Sequence, residues 1–91
     1  MEYYRTEYGF AYGNEEEIPV GRITMRHLAD GTIVIDHTYV APQMRGRSIA
    51  GRLVMLVVQE AQREGCLIKP LCSYARSFLS KDEKLSALIA P

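Results

Sequence analysis

The segment Arg45-Gly46-Arg47-Ser48-Ile49-Ala50-Gly51 joins two cations and several small residues to the start of an apolar pattern of helical period. Those are the parts of an anion site. The first N–H groups of a helix have no partners inside it, the helix dipole favours negative charge there, and small residues let a bulky phosphate approach the main chain. Arg45, Arg47 and Arg52 also fall in a window from His37 to Gln59 that contains no Asp or Glu. The segment lacks the Gly-Lys-Ser/Thr ending of a P-loop and is not a GxGxxG fingerprint. A tight turn with no ligand is the plain alternative.

Other residue types could carry acid, base or nucleophilic chemistry. His37 and Tyr39 are two apart on a β-like run and so share a face, and histidine is the side chain that ordinarily titrates near neutrality. Strict alternation puts Asp36 on the other face, away from a dyad with His37. Cys72 could act as a nucleophile beside a thioester, but no sequence neighbour activates it, and a small packing residue is the plainer reading. Cys66 reads as core, and His27 receives no role. Glu15, Glu16 and Glu17 could attract a cationic acceptor, although acidic runs in loops are usually only solvated.

The elements that must position these residues follow from periodicity. The aromatic stretch up to Tyr12 reads as one strand and Gly13-Asn14 with the acids after it as a turn. Val20 to Leu28 alternates as a half-buried strand, Asp30-Gly31 supplies a hairpin turn, and Thr32 to Val40 is almost wholly β-branched, as a central strand should be. Pro42 ends that strand, and Gly46 to Gly51 forms a turn. From Ile49 the apolar positions Leu53, Leu56, Val57 and Ala61 recur at helical spacing until Gly65 caps the helix. Cys66 to Cys72 reads as a strand parallel to the one before the helix, and Ser73 as the cap of a last helix through Leu85. The expected fold class is α+β, an α/β sandwich. Its mixed central sheet begins with N-terminal antiparallel hairpins and closes with a βαβ crossover.

Composition bounds the rest. With 91 residues, 47% of them hydrophobic, the chain is expected to be one domain over 1–91 with a core that needs no staples. Eleven Lys+Arg against eleven Asp+Glu argue against a general nucleic-acid binder. No apolar run approaches the roughly 20 residues of a membrane span, and no secretory leader is legible, so the expected compartment is the cytoplasm. Two cysteines without a CxxC or a nearby His cluster give no metal site, and no metal cofactor is expected.

The stretch Val40-Ala41-Pro42-Gln43-Met44-Arg45-Gly46-Arg47-Ser48-Ile49-Ala50 resembles the acetyl-CoA motif of the GNAT superfamily of N-acetyltransferases, Arg/Gln-x-x-Gly-x-Gly/Ala after a strand ending in Val-x-Pro. Ser48 stands where the superfamily usually has Gly. The likeness extends to a subgroup of very short GNAT-like proteins, through His37-Thr38-Tyr39-Val40-Ala41-Pro42 and Leu71-Cys72-Ser73-Tyr74, and covers roughly Val20 to Leu79. Tyr39 replaces that subgroup's Glu, and Ser73 its Pro.

The resemblance implies a minimal GNAT-like fold with acetyl-CoA as cosubstrate, held between strands ending near Val40 and Cys72 by Thr38, Tyr39, Val40 and the turn from Arg45 to Gly51. It implies direct attack by a primary amine in a ternary complex, with the Val40 N–H polarising the thioester carbonyl. Tyr74 is implied as proton donor to the leaving thiolate, its alternative being an amphipathic aromatic over the core end. His37 remains a candidate base and Cys72 a catalytic-position candidate. The acceptor amine is not named by the residues; a short chain hints at a protein side chain or at a substrate completed by a second subunit, as in a homodimer. Two other readings stay open. One is a CoA or acyl-CoA binding module without turnover, favoured by Tyr39 in place of Glu. The other is a small phosphate-binding interaction domain, disfavoured by the neutral net charge.

Overall fold

The computed structural model describes residues 1–91. Its elements run β1 (Glu2–Thr6), β2 (Gly9–Gly13), β3 (Gly21–His27), β4 (Ile33–Val40), a 3-10 turn at Pro42–Met44, α1 (Ile49–Glu64), β5 (Ile68–Pro70), α2 (Ser73–Ser80) and α3 (Glu83–Ser86). The five strands lie in the sheet in chain order. All neighbours are antiparallel up to β4, and β5 pairs with β4 in parallel after the α1 crossover. The α+β class and the mixed sheet are as the periodicity predicts. No helix is long and apolar enough to cross a membrane.

One face of the sheet packs on α1 and α2. Ile23, Met25, Ile33 and Ile35 from the strands meet Leu53, Val54, Val57, Val58 and Ala61 of α1 and Ala75 and Leu79 of α2 in a single buried cluster. The period-two alternation of β3 and the period of α1 both aim into it. Gly65, in the left-handed conformation at φ 67°, ends α1 as expected, its N–H turned back to Ala61 O and Gln62 O.

Several local expectations are corrected. The aromatic N-terminus is a hairpin, β1 and β2, and Gly9 lets its second strand approach β3 closely, against the Ile23 carbonyl. A Cβ there would lie 2.1 Å from that oxygen. The turn at Glu7-Tyr8 carries no Asn-Gly or Asp-Gly signature to announce it. A β-bulge between β3 and β4 makes Thr24 pair with His37 and Met25 with Ile35, leaving Asp36 as the extra residue. Its carboxylate accepts from Arg26 Nε at 3.2 Å; the bulge interrupts the strict alternation from which the Asp36 face was read, and the bonded partner of Asp36 is Arg26 and not His37. Gly51 lies inside α1 and not in the preceding turn. β5 is only Ile68–Pro70, so Cys66 precedes it and Cys72 follows it. Cys72, not Ser73, caps α2, which ends at Ser80; Asp82 caps a separate α3.

What positions the site is a fork. Pairing between β4 and β5 stops at Ile35 and Pro70, with Leu71 N–H donating to Ile35 O at 3.0 Å, while β4 runs on to Val40.

Candidate functional site

A pocket of about 440 Å³ opens at the fork, within the roughly 300–1,000 Å³ usual for ligand sites. The end of β4 supplies Thr38, Tyr39 and Val40, the loop supplies Met44, Arg45, Gly46 and Ser48, α1 supplies Ile49 and Ala50, and α2 supplies Tyr74. Met44 is the lining residue that sequence reasoning missed. Its one signal is a place directly before the cradle, brought inward by the 3-10 turn at Pro42–Met44.

The loop wall is built of main chain. No backbone or side-chain acceptor within the chain takes the N–H groups of Gly46, Arg47, Ser48, Ile49, Ala50 or Gly51; the first intrahelical bond of α1 runs from Arg52 N–H to Ser48 O. Ser48 is the one non-glycine residue with positive φ, 64°, directly before α1, and its hydroxyl makes no cap bond. With Gly46 also at φ 82°, the chain turns twice through left-handed conformation to aim these donors outward. Holding serine there stores backbone strain on the order of 1 kcal/mol. Arg45 ties the loop to the strand, its Nε donating to Val40 O at 3.0 Å. Arg47 is exposed and does not line the pocket.

Val40 also turns a donor to the fork. Ala41 N–H donates to Val20 O at 2.7 Å, and the alternation of an antiparallel ladder therefore points the Val40 N–H away from β3. Across the opening, Tyr74 sits in the first turn of α2, where burial raises its pKa above the ordinary value and the neighbouring Cys72 adds a smaller push the same way. Its phenol is thus held in the protonated form. Gly51 makes room for it: a Cβ at Gly51 would lie 2.9 Å from the Phe78 ring and 3.4 Å from the Tyr74 hydroxyl.

Cys72 lies at the base of the fork and does not line the pocket. Its Sγ accepts the Ala75 N–H at 3.3 Å and stands 3.4 Å from Thr38 Oγ1. His37 is also outside the pocket, exposed on the sheet face turned away from α1. Tyr39 reaches both sides of the strand end: it lines the pocket, and the Arg22 guanidinium lies 5.0 Å over its ring. No carboxylate lines the pocket. A site with many main-chain donors, two tyrosines and no acid is suited to holding an anion beside a group that gains a proton.

Comparison with known proteins fits this geometry. A family described as GCN5-related N-acetyl-transferase matches residues 9–88. Among solved structures, a GCN5-like N-acetyltransferase candidate from Staphylococcus aureus, determined by NMR in solution, superimposes with a TM-score of 0.79 at 29% identity. The match covers 98% of this chain and 87% of that one. No curated protein matches the chain.

Proposed function

Because this chain belongs to the GCN5-related N-acetyltransferase family, we propose that it transfers an acetyl group from acetyl-CoA to a primary amine by direct attack in a ternary complex. The observation that carries the reading is the run of unpaired N–H groups from Gly46 to Gly51 at the rim of a pocket that also contains Tyr74. A diphosphate is the kind of group such a run accepts, and the left-handed turn at Ser48 leaves its donors unobstructed. When bound, acetyl-CoA supplies an acyl group activated as a thioester.

The chain's own residues do the rest. The Val40 N–H receives the carbonyl oxygen as negative charge builds on it. Tyr74 gives its proton to the sulfur as the C–S bond breaks, and the proton that the nitrogen sheds once the C–N bond has formed returns the phenolate to phenol. The ammonium of the acceptor loses a proton before attack, and His37, exposed outside the pocket on the sheet face turned away from α1, takes it through a water. Cys72 caps α2 and packs against Thr38.

A second reading, a CoA-binding module without turnover, is favoured by one feature: no carboxylate lines the pocket, Tyr39 standing where the short subgroup has Glu. Calorimetric titration with acetyl-CoA, CoA and ADP, paired with transfer assays on a panel of amines, separates the two. Binding of all three with transfer to at least one amine supports the enzyme. Binding with no transfer to any amine supports the module, and no binding of CoA or ADP removes both.

A further inference from the structure

We propose that His27, Glu60 and Glu64 form a divalent transition-metal site, with Zn²⁺ as the ion they fit best, at the end of the molecule opposite the pocket. His27 ends β3, while Glu60 and Glu64 are four apart in the last turns of α1 and so share one helix face. One imidazole nitrogen and one oxygen from each carboxylate lie within 4.8 Å of one another. His27 Nε2 is 3.1 Å from Glu64 Oε1 and 3.7 Å from Glu60 Oε2. In a tetrahedral site with bonds of about 2.0–2.1 Å, the ligand atoms stand about 3.3 Å apart. Only a small closure by two exposed side chains is needed to reach that.

Glu60 is the independent sign. Its residue is 3% exposed, and Arg5 and Arg63 both hold the same oxygen, Oε1. The other oxygen, Oε2, accepts no hydrogen bond from the chain and faces the imidazole. A carboxylate pinned by cations on one oxygen and free on the other is oriented as metal-bound carboxylates commonly are. One N–H on His27 Nε2 satisfies a single carboxylate, whereas a cation is shared by both. The helix end adds to this, since its exposed carbonyls favour positive charge where Glu64 adds negative. His27 and Glu64 side chains are 40% and 45% exposed, which leaves the third side open for the ion and a water as fourth ligand.

The site is separate from the reading above. Ala50 and Glu64 are at opposite ends of α1, roughly 20 Å apart at 1.5 Å per residue. An ion there clamps the end of α1 to the end of β3, so its readout is stability and not transfer.

The test uses the full chain with both thiols changed to Ser (C66S/C72S), so that sulfur cannot supply a ligand. ZnCl₂, MnCl₂ and NiCl₂ are titrated by calorimetry, and Tm is followed by thermal unfolding. The expected result is 1:1 binding of Zn²⁺ with a rise in Tm of about 4 °C or more at saturation. H27Q and E64Q, both surface changes, should each weaken binding at least tenfold while circular dichroism matches the parent. Failure of Zn²⁺ to bind this background, or affinity unchanged in H27Q and E64Q, overturns the site. So does a Tm rise seen only with the thiols intact.

Discussion

Thr38 and Cys72, 34 residues apart in the chain, meet across the base of the β4–β5 fork with Oγ1 3.4 Å from Sγ. The same sulfur accepts the Ala75 N–H. One atom therefore both seals the fork and starts the helix that carries Tyr74. Cys72→Ala should lose the cap, costing about 0.5–1 kcal/mol in urea unfolding, while keeping most of its turnover. Cys72→Ser should keep the stability, because serine is a preferred cap. A kinetically competent acetyl adduct on Cys72, found by mass spectrometry with acetyl-CoA alone, would replace direct attack by a double displacement.

Tyr74→Phe keeps the ring beside Phe78 and removes only the hydroxyl. CoA affinity should hold while kcat falls by ~10²-fold, the size expected when proton donation is lost. The phenol donates only in its protonated form, and its pKa is raised by burial. Activity should therefore show no falling limb until the pH passes the ordinary tyrosine value of about 10. A pH profile that falls between 8 and 9 assigns the donor elsewhere.

Ala50 is the second residue of α1, where the helix has no internal partner for its N–H and proline is sterically tolerated. Ala50→Pro should thus leave Tm nearly unchanged and weaken CoA binding at least tenfold, the loss expected for a hydrogen bond to a charged group of about 1.5–3 kcal/mol. Equal affinity by calorimetry removes the main-chain cradle.

Ser48 occupies left-handed backbone that glycine adopts without strain. Ser48→Gly should raise unfolding stability by about 0.5–1 kcal/mol, relief of strain exceeding the entropy added to the unfolded chain. Ser48→Val, with a branched Cβ at the same φ, should lower it. Chemical denaturation of the three proteins decides this, and a glycine variant less stable than the parent contradicts the strain.

Gly51→Ala should cost about 1–3 kcal/mol by overpacking, since its Cβ is aimed at the Phe78 ring. It should also lower kcat more than it weakens CoA binding, because the displaced Phe78 ring lies beside Tyr74 and not in the cradle. A variant with parental kcat would show that the ring yields without moving the phenol.

The sequence alone determined whatever depends on near neighbours. The alternation of β3, the stripe of α1 from Ile49, the Gly65 cap and the cradle from Arg45 to Ala50 are legible because period, capping and small-residue turns act over a few positions. Tertiary structure decided the rest through pairing register and packing. The bulge that reassigns Asp36 to Arg26 is a property of two strands together. Gly51 looks like a turn glycine until the Phe78 ring is seen to need the space its missing side chain leaves. His37 shares a face with Tyr39, the two pairing with Thr24 and Arg22, yet only Tyr39, nearer the strand end, reaches the pocket. Cys72 reads as the end of a strand, yet it is a helix cap because pairing with β4 stops at Pro70. His27 and Glu64 are 37 residues apart, and nothing local in the chain joins them. Only the packing of α1 across the sheet sets an imidazole between two carboxylates.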